Sequence, residues 1–188
     1  VENNIVQNLK IQNTVGEQVL IGINSHFGLG DTIRNNIVHN VKASGGDLSV
    51  GILLSGEVLK DGINNLVYNN MIYDIRSSSN QENSVINGIR ILHQNDPKIY
   101  YNTVYLSGNR TGANYKGSAA IYIYDACNNV DARNNIFVNT RDETPFIASA
   151  IYDHITSNLT SDYNDLYCTP NQYNCLVRIL DFKYNELA

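Results

Sequence analysis

Three observations predict an all-β solenoid of about six coils, each built from three short strands. An amide pair followed by branched or bulky apolar residues returns at nearly even intervals, a small residue followed by an apolar one returns between the pairs, and helix formers are scarce. The rows begin VENNIV at Val1, IRNNIV at Ile33, VYNNMI at Val67, YYNTVY at Tyr100, ARNNIF at Ala132 and DYNDLY at Asp162. Asn fills the third column throughout, at Asn3, Asn35, Asn69, Asn102, Asn134 and Asn164, in steps of 32, 34, 33, 32 and 30 residues. Rows stacked as parallel strands, about 4.8 Å apart, turn every column into a ladder. The Asn column is therefore expected as an asparagine ladder at the second turn, each amide bonding its neighbours above and below while bending the backbone.

Each element of a coil follows from the same rows. The first strand is the small-then-apolar piece at Gly22, Gly51, Gly88, Ala120 and Ala150, replaced by Leu176 in the last row. The second is the pair of residues before the amides, and the third is the apolar run after them. Ile5, Ile37, Met71, Val104, Ile136 and Leu166 are expected to stack inside, as are Ile23, Ile52, Ile89, Ile121, Ile151 and Val177. No row sustains a 3.6-residue period, which argues against helix-pair repeats of similar length; the lack of Trp argues against propeller blades, and the lack of fixed Leu positions against leucine-rich repeats. With 29 Asn and 13 Gly against 3 Pro, the composition is one of many tight corners.

Charge and length narrow the functional classes. A formal charge of -5 and a pI near 5.2 argue against a nucleic-acid binder, and no apolar run approaches the roughly 20 residues that span a bilayer. The chain opens on Val1 and its only Met is Met71, so the expectation is one β-helix domain over 1–188, cut from a longer chain, with 181–188 as a candidate terminal cap.

These rows resemble the right-handed parallel β-helix repeats of the pectin-lyase-like superfamily, in which a short second turn carries an asparagine ladder and a longer third turn varies in length. "NVKASGGDLSV" and "SGNRTGANYKGS" match that variable turn. "YYNTVYLSG", from Tyr100 to Gly108, is similar to repeats in very large secreted or surface proteins of Bacteroidetes-type bacteria. The resemblance covers essentially the whole chain. It implies a groove along the first strand, flanked by third-turn loops, and a choice among lyase, hydrolase, adhesin and passive stalk that the fold alone does not make.

Outward positions supply the candidate ligand contacts. Asn24, Leu53, Arg90, Tyr122, Tyr152 and Arg178 follow the inward column of the first strand, so four consecutive rungs display Arg90, Tyr122, Tyr152 and Arg178 as ligand-binding candidates. A second outward row is Glu2, Arg34, Tyr68, Tyr101, Arg133 and Tyr163, read chiefly as cover for exposed sheet. Tyr offers a flat apolar face with a polar tip and Arg a two-pronged donor for carboxylate or sulfate, which suits an acidic polysaccharide. Catalysis would need a base, an acid and a charge stabiliser. His93, Asp125, Asp153 and His154 are weak candidates for the first two, with Arg90 or Arg178 for the third, and no catalytic residue is assigned.

Cys168 and Cys175 bracket "TPNQYN" and form a disulfide candidate, while Cys127 has no evident partner. "SGGD" at Ser44 to Asp47 and "GLGD" at Gly28 to Asp31 lack the repetition that calcium loops show, and neither metal nor cofactor is called for. Two sequons, at Asn109 and Asn158, would matter only in a glycosylating host. The expectation is thus a secreted or cell-surface module that binds extended polysaccharide, acidic chains included, or serves as a structural or adhesive scaffold. The alternatives are a polysaccharide lyase or glycoside hydrolase working in a groove along the first sheet, and a subunit of an end-to-end stacked extracellular fibre. Its partners would be polysaccharide and flanking coils or identical subunits, with no nucleic acid and no membrane span.

Overall fold

A computed structural model describes residues 1–11, 19–43, 48–57, 60–77, 85–109, 117–143 and 145–186. The "SGGD" stretch, two residues of the first sequon (110 and 111) and the last two of the expected cap (187 and 188) lie outside these. The rows do lie over one another as parallel strands of a β-solenoid. The first-strand pieces form a seven-stranded sheet: β2 (Val19–His26), β5 (Leu48–Ser55), β9 (Val85–Leu92), β13 (Gly117–Ile123), β17 (Ile147–Asp153), β20 (Cys175–Ile179) and β21 (Phe182–Tyr184). The residues before the amides form a five-stranded sheet of β3 (Thr32–Arg34), β7 (Leu66–Tyr68), β11 (Lys98–Tyr100), β15 (Asp131–Arg133) and β18 (Thr160–Asp162). Those after them form a six-stranded sheet of β1 (Ile5–Ile11), β4 (Ile37–Ala43), β8 (Met71–Ser77), β12 (Thr103–Leu106), β16 (Ile136–Asn139) and β19 (Asp165–Cys168). A short fourth side, not expected from the sequence, joins β6 (Gly62–Ile63), β10 (Gln94–Asn95) and β14 (Cys127–Asn128). No helix occurs among the described residues, so none is long and apolar enough to cross a membrane.

The number of turns is about four rather than six. Six rows give six strands in one sheet, but a closed turn needs every side. The fourth side is bonded only from Leu29, bridged to Ile63, through Asn95 to Asn128. At the far end β21 turns back and pairs antiparallel with β20, matching Ile179 with Phe182 and Val177 with Tyr184.

The amide echo divides into two jobs, and this corrects the expected ladder by one residue in four of its six rows. Asn3, Asn35, Asn69 and Asn134 take the left-handed backbone at φ of 57, 55, 55 and 56°, and they share that corner with Tyr101 and Tyr163 at 54 and 53°. The continuous ladder is the neighbouring column, Asn4, Asn36, Asn70, Asn102, Asn135 and Asn164, in which only Asn102 and Asn164 were placed by sequence. Asn102 is typical of it. Its Nδ2 reaches Asn135 Oδ1 at 3.1 Å, Val67 O at 2.9 Å and Tyr100 O at 3.0 Å, and its Oδ1 accepts from the backbone and side chain of Asn70 at 3.1 and 2.9 Å. The buried column demands an amide because only a side chain with both donor and acceptor satisfies rungs on either side. The exposed corner demands only a tolerable left-handed residue, so Tyr101 and Tyr163, 62% and 77% exposed, can stand there.

The same shift relocates the third-strand stack. Ile5, Met71 and Ile136 are exposed and Ile37 half-buried, in a column with Thr103 and Asp165. The inward column is Val6, Val38, Ile72, Val104, Phe137 and Leu166, so Val104 and Leu166 are the members the sequence reading places correctly. Facing it are Ile23, Ile52, Ile89, Ile121, Ile151 and Val177, in register as expected. Ile33, Val67, Ile99 and Ala132 close the third side. The small residue before the first-strand apolar column now has a cause. A Cβ on Gly51 or Gly88 would run into Ile72 or Val104 from the opposite sheet and into the carbonyl of the next rung.

Removing one buried rung should therefore cost far more than removing its exposed neighbour. Asn70→Ala removes the acceptor of the Asn36 backbone N–H and side chain and the donor to the Tyr68 and Ile33 carbonyls, and should lose about 2–4 kcal/mol in urea unfolding. Asn69→Gly keeps the corner and should change stability by less than about 1 kcal/mol; equal losses at both positions would contradict this register.

Candidate functional site

The seven-stranded sheet carries a groove of about 350 Å³ on its outer face. Alternation along β9 breaks at Gly88–Ile89, where two consecutive residues face inward, so Asn87 and Arg90 both line the groove while Ile86, Ile89 and Ile91 sit in the core. In the next two rungs the matching positions are Ala119 with Tyr122 and Ser149 with Tyr152. Its floor is thus small and uncharged, and its wall is cationic and aromatic. Among the described residues that line it, none is Asp or Glu.

All four expected ligand contacts fall in one column, where they build a continuous stack. The Arg90 guanidinium lies over the Tyr122 and Tyr124 rings at 5.0 and 4.6 Å, Tyr122 stacks on Tyr152 at 4.7 Å and 13°, and Arg178 lies over Tyr152 at 4.3 Å. Tyrosines in register on adjacent parallel strands stack because ring and strand spacings coincide. Stacking covers the ring faces with each other and with arginine, so the wall presents edges and hydroxyls to a ligand rather than the open flat faces the sequence suggests.

The two arginines differ. Arg178 is bound to Asp181 at 3.1 Å and to Leu180 O at 2.9 Å and stands outside the groove. Arg90 has no carboxylate partner among the described residues, and burial pulls its guanidinium below the ordinary value, with Tyr122 and Tyr124 acting in the opposite sense. Burial likewise pushes Tyr122 and Tyr152 up, so both phenols are donors at neutral pH, not bases.

The weak catalytic candidates do not come together in the groove. Asp153 faces inward and accepts from Ile155 N, Ser157 N and Ser157 Oγ at 3.2, 2.9 and 3.0 Å, which makes it a turn-forming residue. His93 lies at a corner between Asp61 and Asp125, 3.7 and 3.9 Å away, on successive rungs. Only His154 reaches the groove, edge-on to Tyr152 at 5.6 Å. Among the described residues no group of three or more His, Cys, Asp or Glu could hold a metal ion. Sequence reasoning missed Asn87, Ala119, Ser149 and Tyr124. The first three could have been found by reading the residue just before each small one, and Tyr124 by continuing the outward alternation past Tyr122.

The second outward row is also corrected at two rungs, running Glu2, Arg34, Tyr68, Tyr100, Arg133 and Asp162, with Tyr101 and Tyr163 moved to the corner. Most of its charged groups find a local partner. Arg34 pairs with Glu2 and donates to Tyr68 Oη at 2.7 Å, and Asp131 takes Tyr100 at 2.6 Å and Arg133 at 2.8 Å. A buried ion pair that the sequence reading did not anticipate, Arg141 with Glu143 at 2.5 Å, ties the turn after β16 to Ser107 O and Asn109 O in the rung before.

Cys168 and Cys175 are free thiols rather than a bridge, as is Cys127. All three point into apolar surroundings, and burial pushes Cys127 and Cys168 up to about 12, Cys175 adding to the shift at Cys168. The folded values lie above the unfolded one of about 8.5, so this stabilisation is complete below that pH and is lost as pH rises toward 12. Thermal melts should show a decline that begins above about pH 8.5, and Cys127→Val with Cys168→Val should flatten it. An equally steep decline in the double variant would assign the loss to the buried phenols instead.

No family model matches the chain, and neither a curated protein nor a solved structure matches it.

Proposed function

We propose that this chain is a secreted or cell-surface module, of the pectin-lyase-like kind and akin to the repeat regions of large Bacteroidetes-type surface proteins, that holds extended polysaccharide in the groove of its seven-stranded sheet. The observation that carries the reading is a groove walled by stacked tyrosines and by an arginine, with no carboxylate lining it or paired with that arginine among the described residues. Three rungs at strand spacing offer hydroxyls from Ser118, Ser149 and the tyrosines and one amide from Asn87, contacts that successive sugars of a chain can meet. The small residues of the floor leave room for a ligand that runs across those rungs.

Binding is favoured over hydrolysis because glycoside cleavage by paired carboxylates needs two acids across the bond, and the described residues of the groove lining supply none. A lyase would need a base set beside a charge stabiliser; burial raises the groove phenols, and the one lining imidazole, His154, stands edge-on to Tyr152 on the far side of the stack from Arg90. Tyr122→Ala combined with Tyr152→Ala should reduce retention on an immobilised polysaccharide panel by more than about tenfold, with the fold checked by circular dichroism. Undiminished retention of a folded double variant on every member of the panel would end the groove reading.

A further inference from the structure

Two polar side chains stand three residues apart on β9, and both line the groove. Asn87 is only 2% exposed; its Nδ2 donates to Ile86 O at 2.9 Å, and its Oδ1 is buried without any partner. Buried acceptors left empty are uncommon, and each calls for a donor from water or ligand. Arg90, beyond the inward Gly88–Ile89 step, is held over Tyr122 and Tyr124, with no carboxylate among the described residues to meet its charge. Along a strand, three residues span about 10 Å, so the two side chains can converge on neighbouring substituents of one sugar unit.

We propose that Asn87 and Arg90 form a subsite for an anionic sugar, in which a free hydroxyl donates to Asn87 Oδ1 and the adjacent acid group accepts the two-pronged guanidinium of Arg90. This rests on the polysaccharide reading above and adds a chemical selectivity to it. The rung before supplies Val50 at the Asn87 position and Leu53 at the Arg90 position, and the next two rungs supply Ala119 with Tyr122 and Ser149 with Tyr152, so they select for no charge. The acid is therefore read at one rung, and the sugars that follow are accepted whether or not they carry one. Planar, fork-shaped recognition distinguishes Arg from a simple point charge and suits both carboxylate and sulfate. His154 and Tyr152 lie further along the groove and take no part in holding the acid.

Calorimetric titration of the intact chain with three oligosaccharides of equal length tests this: an oligouronate, a sulfated oligosaccharide and a neutral one. At least one acidic ligand should bind more than about tenfold tighter than the neutral one. Arg90→Gln should abolish that preference, and Arg90→Lys should restore only part of it. Asn87→Leu, which removes the empty acceptor and adds no buried charge, should weaken the acidic ligand about tenfold while raising or preserving the melting temperature. Preference for uronate over sulfate, or the reverse, identifies the acid. Equal affinity for acidic and neutral ligands, or an unaltered preference in folded Arg90→Gln and Asn87→Leu, would overturn the subsite and leave polysaccharide binding standing. Failure of all three ligands to bind the unmodified chain would overturn both.

Discussion

The structure depends on one buried side-chain ladder. Each amide from Asn36 to Asn135 accepts on its oxygen from the rung before and donates from its nitrogen to the rung after. It also closes on the carbonyl two residues back, as Asn70 does on Tyr68 O at 3.0 Å. That local bond fixes the corner, and the bond between rungs fixes the register; neither alone would do both. Hydrogen-bond chains of this kind polarise one another, while a missing member leaves several buried groups unpaired at once. The apolar columns then follow, because once the corner is pinned, period-two alternation decides which face Val38, Ile72 and Val104 occupy.

Much of this was legible from residue spacing. The solenoid, the column from Ile23 to Val177 and the outward column from Arg90 to Arg178 could all be read because their rows align without gaps. The ladder was misplaced by one because "YYNT" and "DYND" each contain a single Asn, and alignment on the first amide of every row put Asn102 and Asn164 beside corner residues. The physical distinction that resolves it is burial, which a letter does not carry. Asn69 and Asn70 are identical in sequence and opposite in environment, one turning the backbone at φ 55° and the other buried. The one-residue slip then exchanged inside for outside at Ile5, Ile37, Met71 and Ile136, as any odd shift in a strand must.

The groove shows the converse limit. Its arginines and tyrosines could be placed, but their state depends on partners brought from other rungs. Among the described residues Arg178 finds Asp181 and Arg90 finds aromatic faces, although both stand in one column. Asp153 looked like an acid beside a groove and proved to be a turn acceptor, since its strand position matches the inward Ile91 and Ile123. Cys168 and Cys175, close in sequence, share an apolar end of the core that keeps both thiols protonated.

The ladder also has a direction. Every link runs from a nitrogen on the earlier rung to an oxygen on the later one, so the aligned amide dipoles give the solenoid unlike ends. Among the described residues, Asn4 Oδ1 receives no bond at one end and the Asn164 backbone N–H gives none at the other. A coil laid against the first rung in the same sense would bring a donor to a waiting oxygen, whereas one approaching inverted would bring oxygen against oxygen. Like a string of magnets, the column distinguishes its own continuation from its mirror by electrostatics alone.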